Sequence, residues 1–486
     1  MRQIQHKVIK DAKLFINGEY IDSNSGESFD TIDPATNQKL ASVAKANEQD
    51  TKHAINVAKE TFDSGVWSDM PVADRSMILC RMSDLVMERV NDLALIETLD
   101  VGKPIKESRG FDIPRAASNL RFFAEMANYI NHEHYDHHKF MSYSKYAPVG
   151  VTSLIIPWNL PFMQMTWKAS AAMAAGNTVV VKPASYTPLS ALMLGEIANE
   201  AGLPPGVLNI ITGPGGTVGT TMSTHPHVRR ISFVGESATG KTVMQNAASQ
   251  LIPVSLELGG KSANIVFEDA DLDEAVSGSI EAIYRNQGEI CLAGSRLLVQ
   301  ENIYDLFLDK FVSAVKKIKV GDPLNEDTDM GALVSKSHLD SVDQYVQIGL
   351  SEGARLAVGG KKVAGLGEGN FYEPTVLYDV DNKMRVAQEE IFGPVLVVIP
   401  FKTEEDAIRI ANDSVYGLAG VVWTNDLRRA HRVASKVNAG LLWINCWYYR
   451  DLRTPFGGSK ASGIGREGGR HSFEFFSEAK TITLKL

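Results

Sequence analysis

Apolar and polar positions change their period several times along this chain, and each change marks a structural boundary. Residues 14–33, LFINGEYIDSNSGESFDTID, set short β-branched or aromatic runs between Asn-Gly and Ser-Gly pairs, which predicts strands joined by hairpins. From Asn47 to about Ile130 the spacing turns helical, as in ILCRMSDLVMERVNDLALIETL, and predicts a helical layer. From residue 150 onward, short apolar runs alternate with helical stretches: GVTSLIIP, MTWKASAAMAAG, TVVVKP, a helix to Glu200, VLNIIT, RRISFV and VSLELGG. A second series starts at SANIVFED and continues through RLLVQ, helices near 304–319 and 335–352, ARLAVGG, PTVLYDV, PVLVVIPF, GLAGVVWT and GLLWIN. Apolar strands alternating with helices predict parallel sheets covered on both faces. The fold class expected is therefore α/β, two tandem units with mostly parallel sheets, meeting near Gly259-Gly260.

Two alternating pieces belong to neither series, MSYSKYAP at 141–148 and TITLKL at 481–486. Strands left at an edge need a partner. The 486 residues, 44% hydrophobic and 22% charged, are enough for a large core and exclude a disordered chain or a disulfide-stapled miniature. A net charge of −9 argues against nucleic acid and anionic membrane surfaces as partners. A small anionic ligand would need local cations. Cys80, Cys291 and Cys446 lie too far apart in sequence for a CxxC zinc site or a disulfide framework, so each is weighed as a thiol. No apolar run is long enough to span a bilayer, and MRQIQHKVIKDAKLF lacks the apolar core of a signal peptide, so a cytoplasmic protein is expected.

Three motifs compete for attention. GESATGKT, from Gly235 to Thr242, fits the P-loop pattern between a predicted strand and helix, although Glu236 would place a carboxylate inside a phosphate cradle. An ordinary Gly-containing strand-to-helix turn is the stronger explanation. TGPGGTVG (212–219) is a loose dinucleotide fingerprint with irregular glycine spacing. NHEHYDHHKF carries His132, His134, His137 and His138; it reads as a solvated surface segment, with no metal site expected. Among the thiols, Cys291 in NQGEICLAGSR follows a Gly-containing turn, where backbone N–H groups can stabilise a thiolate. Cys80 sits in a helical apolar pattern and reads as core, and Cys446 as core or pocket wall.

VSLELGGKSANIVFEDADLD, NQGEICLAGSR, PWNLPF, VVVKPAS, QEEIFGPV and PFGGSKASGIGREGG occur in one order along the chain. Together they make the chain resemble the NAD(P)-dependent aldehyde dehydrogenase superfamily. The resemblance implies a Rossmann-like dinucleotide-binding domain (1–127 and 149–259) and a catalytic domain (260–456). It also implies a small bridging β element (128–148 and 470–486) that joins subunits into a homodimer or homotetramer. By the same resemblance, Cys291 attacks the aldehyde to give a thiohemiacetal, the Asn159 side-chain amide and the Cys291 N–H hold its oxyanion, and Glu257 activates water against the thioester left by oxidation. Glu257 lies between Leu256 and Leu258, a setting that favours the neutral carboxyl and a pKa near the working pH.

For the cofactor, the resemblance assigns Lys182 and Glu390 to ribose hydroxyls, Phe392 to the nicotinamide ribose, and Trp158 and the Gly235 turn to the pyrophosphate. Many members carry Ser where this chain has Glu236. Ser185 stands where NAD-preferring members often carry Glu, so NAD is expected with NADP also accepted. The C-terminal stretch NCWYYRDLRTPFGGSKASGIGREGGRHSFEFFSE looks most like the branch acting on semialdehydes from ring-cleaved aromatics, such as the 2-hydroxymuconic and 5-carboxymethyl-2-hydroxymuconic semialdehydes. Such substrates carry carboxylates, and the resemblance places Arg115 and Arg453 on them. Two alternatives stand beside this reading: a broad aliphatic or betaine-type aldehyde dehydrogenase with Trp447, Tyr448 and Tyr449 lining the pocket, and a P-loop nucleotide hydrolase.

Overall fold

The Asn-Gly pair near the start forms a tight hairpin, with Asn17 and Gly18 both at positive φ (55° and 80°), the geometry a two-residue turn between twisted strands requires. It joins Leu14–Ile16 to Glu19–Ile21, the outer edge of an eight-stranded sheet. The structure is a computed structural model and describes residues 11–486; the signal-peptide expectation, resting mainly on residues 1–10, lies outside the described residues.

Five strands form the parallel centre of this sheet, in the order Leu208–Ile210, Thr178–Lys182, Val151–Ile155, Val228–Val234 and Val254–Glu257. Gly463–Ile464 closes the far edge antiparallel to Val254–Glu257. These strands are largely apolar and buried, Arg229 and Arg230 at the start of one excepted, as sheets covered on both faces require. The covering helices include Glu48–Asp63, started by an Asn47–Asp50 capping box, and Pro161–Ala174, in which every residue except Gln164 is buried.

The second sheet has seven strands, ordered Arg355–Val358, Thr375–Tyr378, Val395–Phe401, Arg296–Gln300, Ala263–Val266, Ala419–Trp423 and Leu441–Ile444. Only its first pair is antiparallel. The chain passes from the first sheet to the second between Glu257 and Ala263, across the Gly259-Gly260 step. The two detached pieces pair with each other: Ser477–Lys485 runs antiparallel to Phe140–Pro148, and His134–His137 adds a third strand. The histidines of that hairpin are exposed. No helix among the described residues is long and apolar enough to cross a membrane.

The topology gathers the chemistry at one edge. Asn159, Lys182, Gly235 and Glu257 all lie at or just past the carboxyl ends of parallel strands of the first sheet, where ligand crevices of open α/β sheets form.

Candidate active site

Helix Leu272–Tyr284 ends in Arg285, and then Asn286, Gln287 and Gly288 all take left-handed backbone (φ 47°, 55° and 75°). Non-glycine residues hold that conformation only where surroundings fix them. Here the Asn286 side-chain amide donates to the carbonyls of Asn159 and Glu289, each at 3.1 Å, and the Asn159 Nδ2 donates to the Glu289 carbonyl at 2.8 Å. The turn delivers Cys291 against Gly260, where a β-carbon would collide with the Cys291 carbonyl.

All three cysteines are half-buried, so exposure does not rank them. Cys80 packs on the core of the first sheet and Cys446 on that of the second. Surroundings separate Cys291, which lies among Glu257, Glu390 and Arg450. Its thiol is pushed up to about 12, by burial first and then by the two carboxylates, with Arg450 opposing. The backbone N–H at Cys291 favours the thiolate, as the sequence reading expects, but burial outweighs it.

Glu257 ends the Val254–Glu257 strand and is 5% exposed, with neither carboxyl oxygen hydrogen-bonded among the described residues. Its Oε1 rests against Gly457, at φ 148°, where a side chain would leave it no room. Burial, followed by the charge of Glu467, raises its pKa well above the usual carboxylate range; Lys168, Arg450 and Arg466 pull it back. The nearby Lys168–Glu467 pair is buried, at 2.5 Å, and Glu467 also accepts from Trp167 Nε1 (2.7 Å), Ser232 and Ser255 (both 3.0 Å). The sequence reading missed this network, because Glu467 comes from far along the chain.

Lys182 is buried, donates one hydrogen bond, to the Pro183 carbonyl at 3.1 Å, and is pulled down to about 8 by burial. An ammonium with unused donors at a strand end fits sugar hydroxyls. Past Gly235, the helix Ser237–Ala248 starts at an exposed Glu236 that makes no side-chain cap, so its first N–H groups remain open to an anion. The GESATGKT motif is thus a strand-to-helix turn of the first sheet. Ser185 donates to the Gly213 carbonyl at 3.1 Å, joining the KPAS turn to the TGPGG turn. Glu390 accepts from the Gly260 N–H at 2.8 Å and is raised to about 7 by burial. Phe392, at φ 57°, meets the edge of Trp158 at 5.2 Å between ring centres. These residues together fit a dinucleotide: donors for ribose, an open helix start for pyrophosphate, and aromatic surface beside them.

The two arginines singled out from the sequence part company. Arg115 is partly buried; its Nη1 donates to the Arg450 carbonyl at 3.3 Å and its Nη2 is shielded from water with no partner among the described residues. Arg453 is 78% exposed and paired with Asp451 at 2.6 Å, so the surface carboxylate occupies its guanidinium. The inward arginine of the same RDLR segment is Arg450, which the sequence reading passed over. Its guanidinium lies between the rings of Trp167 (4.0 Å) and Phe456 (3.8 Å), and its Nε and Nη2 are buried and unpartnered among the described residues. Of the three aromatics weighed as pocket lining, Trp447 is buried and stacked on Tyr448 (4.8 Å), whereas Tyr449 is 80% exposed.

The family model described as "Aldehyde dehydrogenase family" matches residues 20–482. A 2-aminomuconic semialdehyde dehydrogenase of Homo sapiens is 44% identical over 478 residues, covering 97% of both chains. A 2-hydroxymuconic semialdehyde dehydrogenase of Pseudomonas sp. (strain CF600) is 41% identical, covering 98% of this chain and all of the relative. A crystal structure of indole-3-acetaldehyde dehydrogenase in complex with NAD+ superposes with a TM-score of 0.98 at 43% identity, covering 100% of this chain and 99% of that one. With nearly the whole length matched at 41–44% identity, the chain belongs to the aldehyde dehydrogenase family and is an NAD(P)-dependent aldehyde dehydrogenase.

Proposed function

We propose that this enzyme oxidises a carboxylated semialdehyde of the kind released by aromatic ring cleavage, with NAD as the preferred cofactor. The observation that carries the substrate reading is the pair of inward arginines, Arg115 and Arg450, whose buried Nη2 groups, and the Nε of Arg450, have no partner among the described residues in a chain of net charge −9. A planar guanidinium grips a carboxylate through two charged hydrogen bonds. The semialdehyde activities printed for the human and Pseudomonas relatives point the same way.

In this reading the Cys291 sulfur attacks the aldehyde carbon, and the oxyanion that forms is held by the second N–H of the Asn159 amide and the Cys291 backbone N–H. Arg450 is the cation that favours the Cys291 thiolate. Lys182, Glu390, Phe392, Trp158, the Gly235 turn and Ser185 would hold NAD, which supplies the two-electron oxidant. Glu257 then takes a proton from the water that cleaves the thioester, releasing the acid and regenerating the thiol. Burial raises its pKa well above the ordinary carboxylate range, which makes it a stronger base toward that water than an exposed carboxylate.

The same reading assigns residues 1–127 and 149–259 to the cofactor, 260–456 to catalysis, and 128–148 with 470–486 to subunit joining in a cytoplasmic homo-oligomer. A panel of semialdehydes with and without a second carboxylate, run with NAD and with NADP, tests the proposal. Equal kcat/KM on carboxylated and neutral aldehydes of matched length would overturn the substrate assignment.

A further inference from the structure

We propose that His338 is a positioning residue that ties the seat of the nicotinamide ribose to the loop bearing the nucleophile. The inference rests on the reading that Phe392 flanks bound NAD. His338 lies in the first turn of helix Lys336–Ser351, where its own N–H is capped by the Ser335 hydroxyl at 3.1 Å. Its Nε2 lies 2.7 Å from the carbonyl of Phe392 and 3.7 Å from Glu289 Oε1. A carbonyl can only accept, so Nε2 carries the proton, and burial, which lowers the imidazole pKa, keeps the ring neutral in that tautomer.

Both of its neighbours need holding. Phe392 sits at φ 57°, a conformation that costs a bulky residue free energy unless it is fixed from outside. The His338 N–H fixes its carbonyl, and the Trp158 ring packs against both, at 5.4 Å from His338 and 5.2 Å from Phe392. On the other side, Glu289 Oε1 accepts from the Val334 N–H at 3.0 Å, so this carboxyl is anchored to the same segment, Val334 to His338. The backbone carbonyl of Glu289 receives the Asn159 amide, and Cys291 follows two residues later. The His338 N–H therefore ties the cofactor turn to the Val334–His338 segment, and that segment, through the Val334 N–H on Glu289, also holds the residues that place Asn159 and Cys291.

The test measures NAD binding by quenching of intrinsic tryptophan fluorescence, and alkylation of Cys291 by iodoacetamide, located by peptide mass and timed with and without NAD. In His338→Ala the NAD dissociation constant rises about tenfold, the loss expected for one neutral hydrogen bond together with a released turn. The NAD-dependent change in Cys291 alkylation falls to less than half of the wild-type change at saturating NAD. His338→Gln, whose amide offers an N–H, restores affinity to within about threefold of the wild type. Phe392→Gly has no left-handed turn to enforce, so adding His338→Ala to it weakens binding by less than about twofold. Wild-type NAD affinity and a full NAD effect on alkylation in folded His338→Ala would overturn the inference, as would full additivity with Phe392→Gly. If His338→Ala does not fold, His338→Gln and the double variant decide. A wild-type enzyme that fails to bind NAD would instead overturn the reading on which the inference rests.

Discussion

Replacing Arg450 with Met keeps the volume between Trp167 and Phe456 while removing the charge and the two unpartnered donors, Nε and Nη2. Loss of one charged hydrogen bond to a substrate carboxylate is worth about 1.5–3 kcal/mol. In rate terms this is a roughly 10- to 150-fold fall in kcat/KM. The same change has effects common to all substrates, because Arg450 also favours the Cys291 thiolate and lowers the pKa of Glu257. Those effects cancel in the ratio of kcat/KM for a carboxylated semialdehyde to that for a neutral aldehyde of the same length, so the ratio is the quantity to measure. Steady-state NADH formation on both substrates gives it directly. A ratio unchanged within about threefold, however large the common loss, would refute the idea that Arg450 reads a carboxylate. Arg450→Lys retains charge without the planar fork and is expected to fall between the two.

Arg453→Ala is expected to change kcat/KM by less than about twofold on either substrate, since exposed ion pairs such as Arg453–Asp451 contribute little; a large selective loss would reinstate Arg453 as the clamp. Lys168 lowers the Glu257 pKa and Glu467 raises it. Lys168→Met is therefore expected to move the acid limb of the kcat–pH profile to higher pH, and Glu467→Gln to lower pH, because the base works only when deprotonated. Opposite or absent shifts in folded variants would contradict that electrostatic role. Each single variant also leaves a buried charge alone and should lose roughly 3–5 kcal/mol of stability by denaturant unfolding, the double variant less. With Ser185 offering no carboxylate to repel a 2′-phosphate, NADP is expected to support measurable turnover while NAD remains better; a tenfold advantage for NADP in kcat/KM would reverse the ranking.

Much of this architecture was legible in the chain because it follows simple periods. The apolar runs at Val151–Ile155 and Thr178–Lys182, short and alternating with helical stretches, read as buried parallel strands, and the Gly259-Gly260 step stood out between the two series. Cys291, Glu257 and Asn159 were singled out through the motifs that carry them. Arg450 was not, because the RDLR segment has no regular period. A left-handed Tyr448 (φ 64°) turns the chain just before it, and nothing local says which of two arginines three residues apart faces inward. His338 sits in the first turn of an ordinary amphipathic helix, and only the tertiary placement of Phe392 and Glu289 beside it shows what it touches. The high thiol pKa of Cys291 was likewise invisible, since it comes from burial among side chains distant in sequence.

The central claim, covalent catalysis at Cys291 with Glu257 clearing the thioester, is tested most directly by trapping the intermediate. Glu257→Gln is isosteric and removes the base, so mixing it with NAD and a carboxylated semialdehyde should give a burst of NADH close to one per active site. Steady turnover should then be slowed by about 10²–10⁴-fold. Mass spectrometry of the quenched protein is predicted to find the acyl group on the peptide holding Cys291. Undiminished turnover with no adduct, or an adduct on Cys80 or Cys446, would contradict the account.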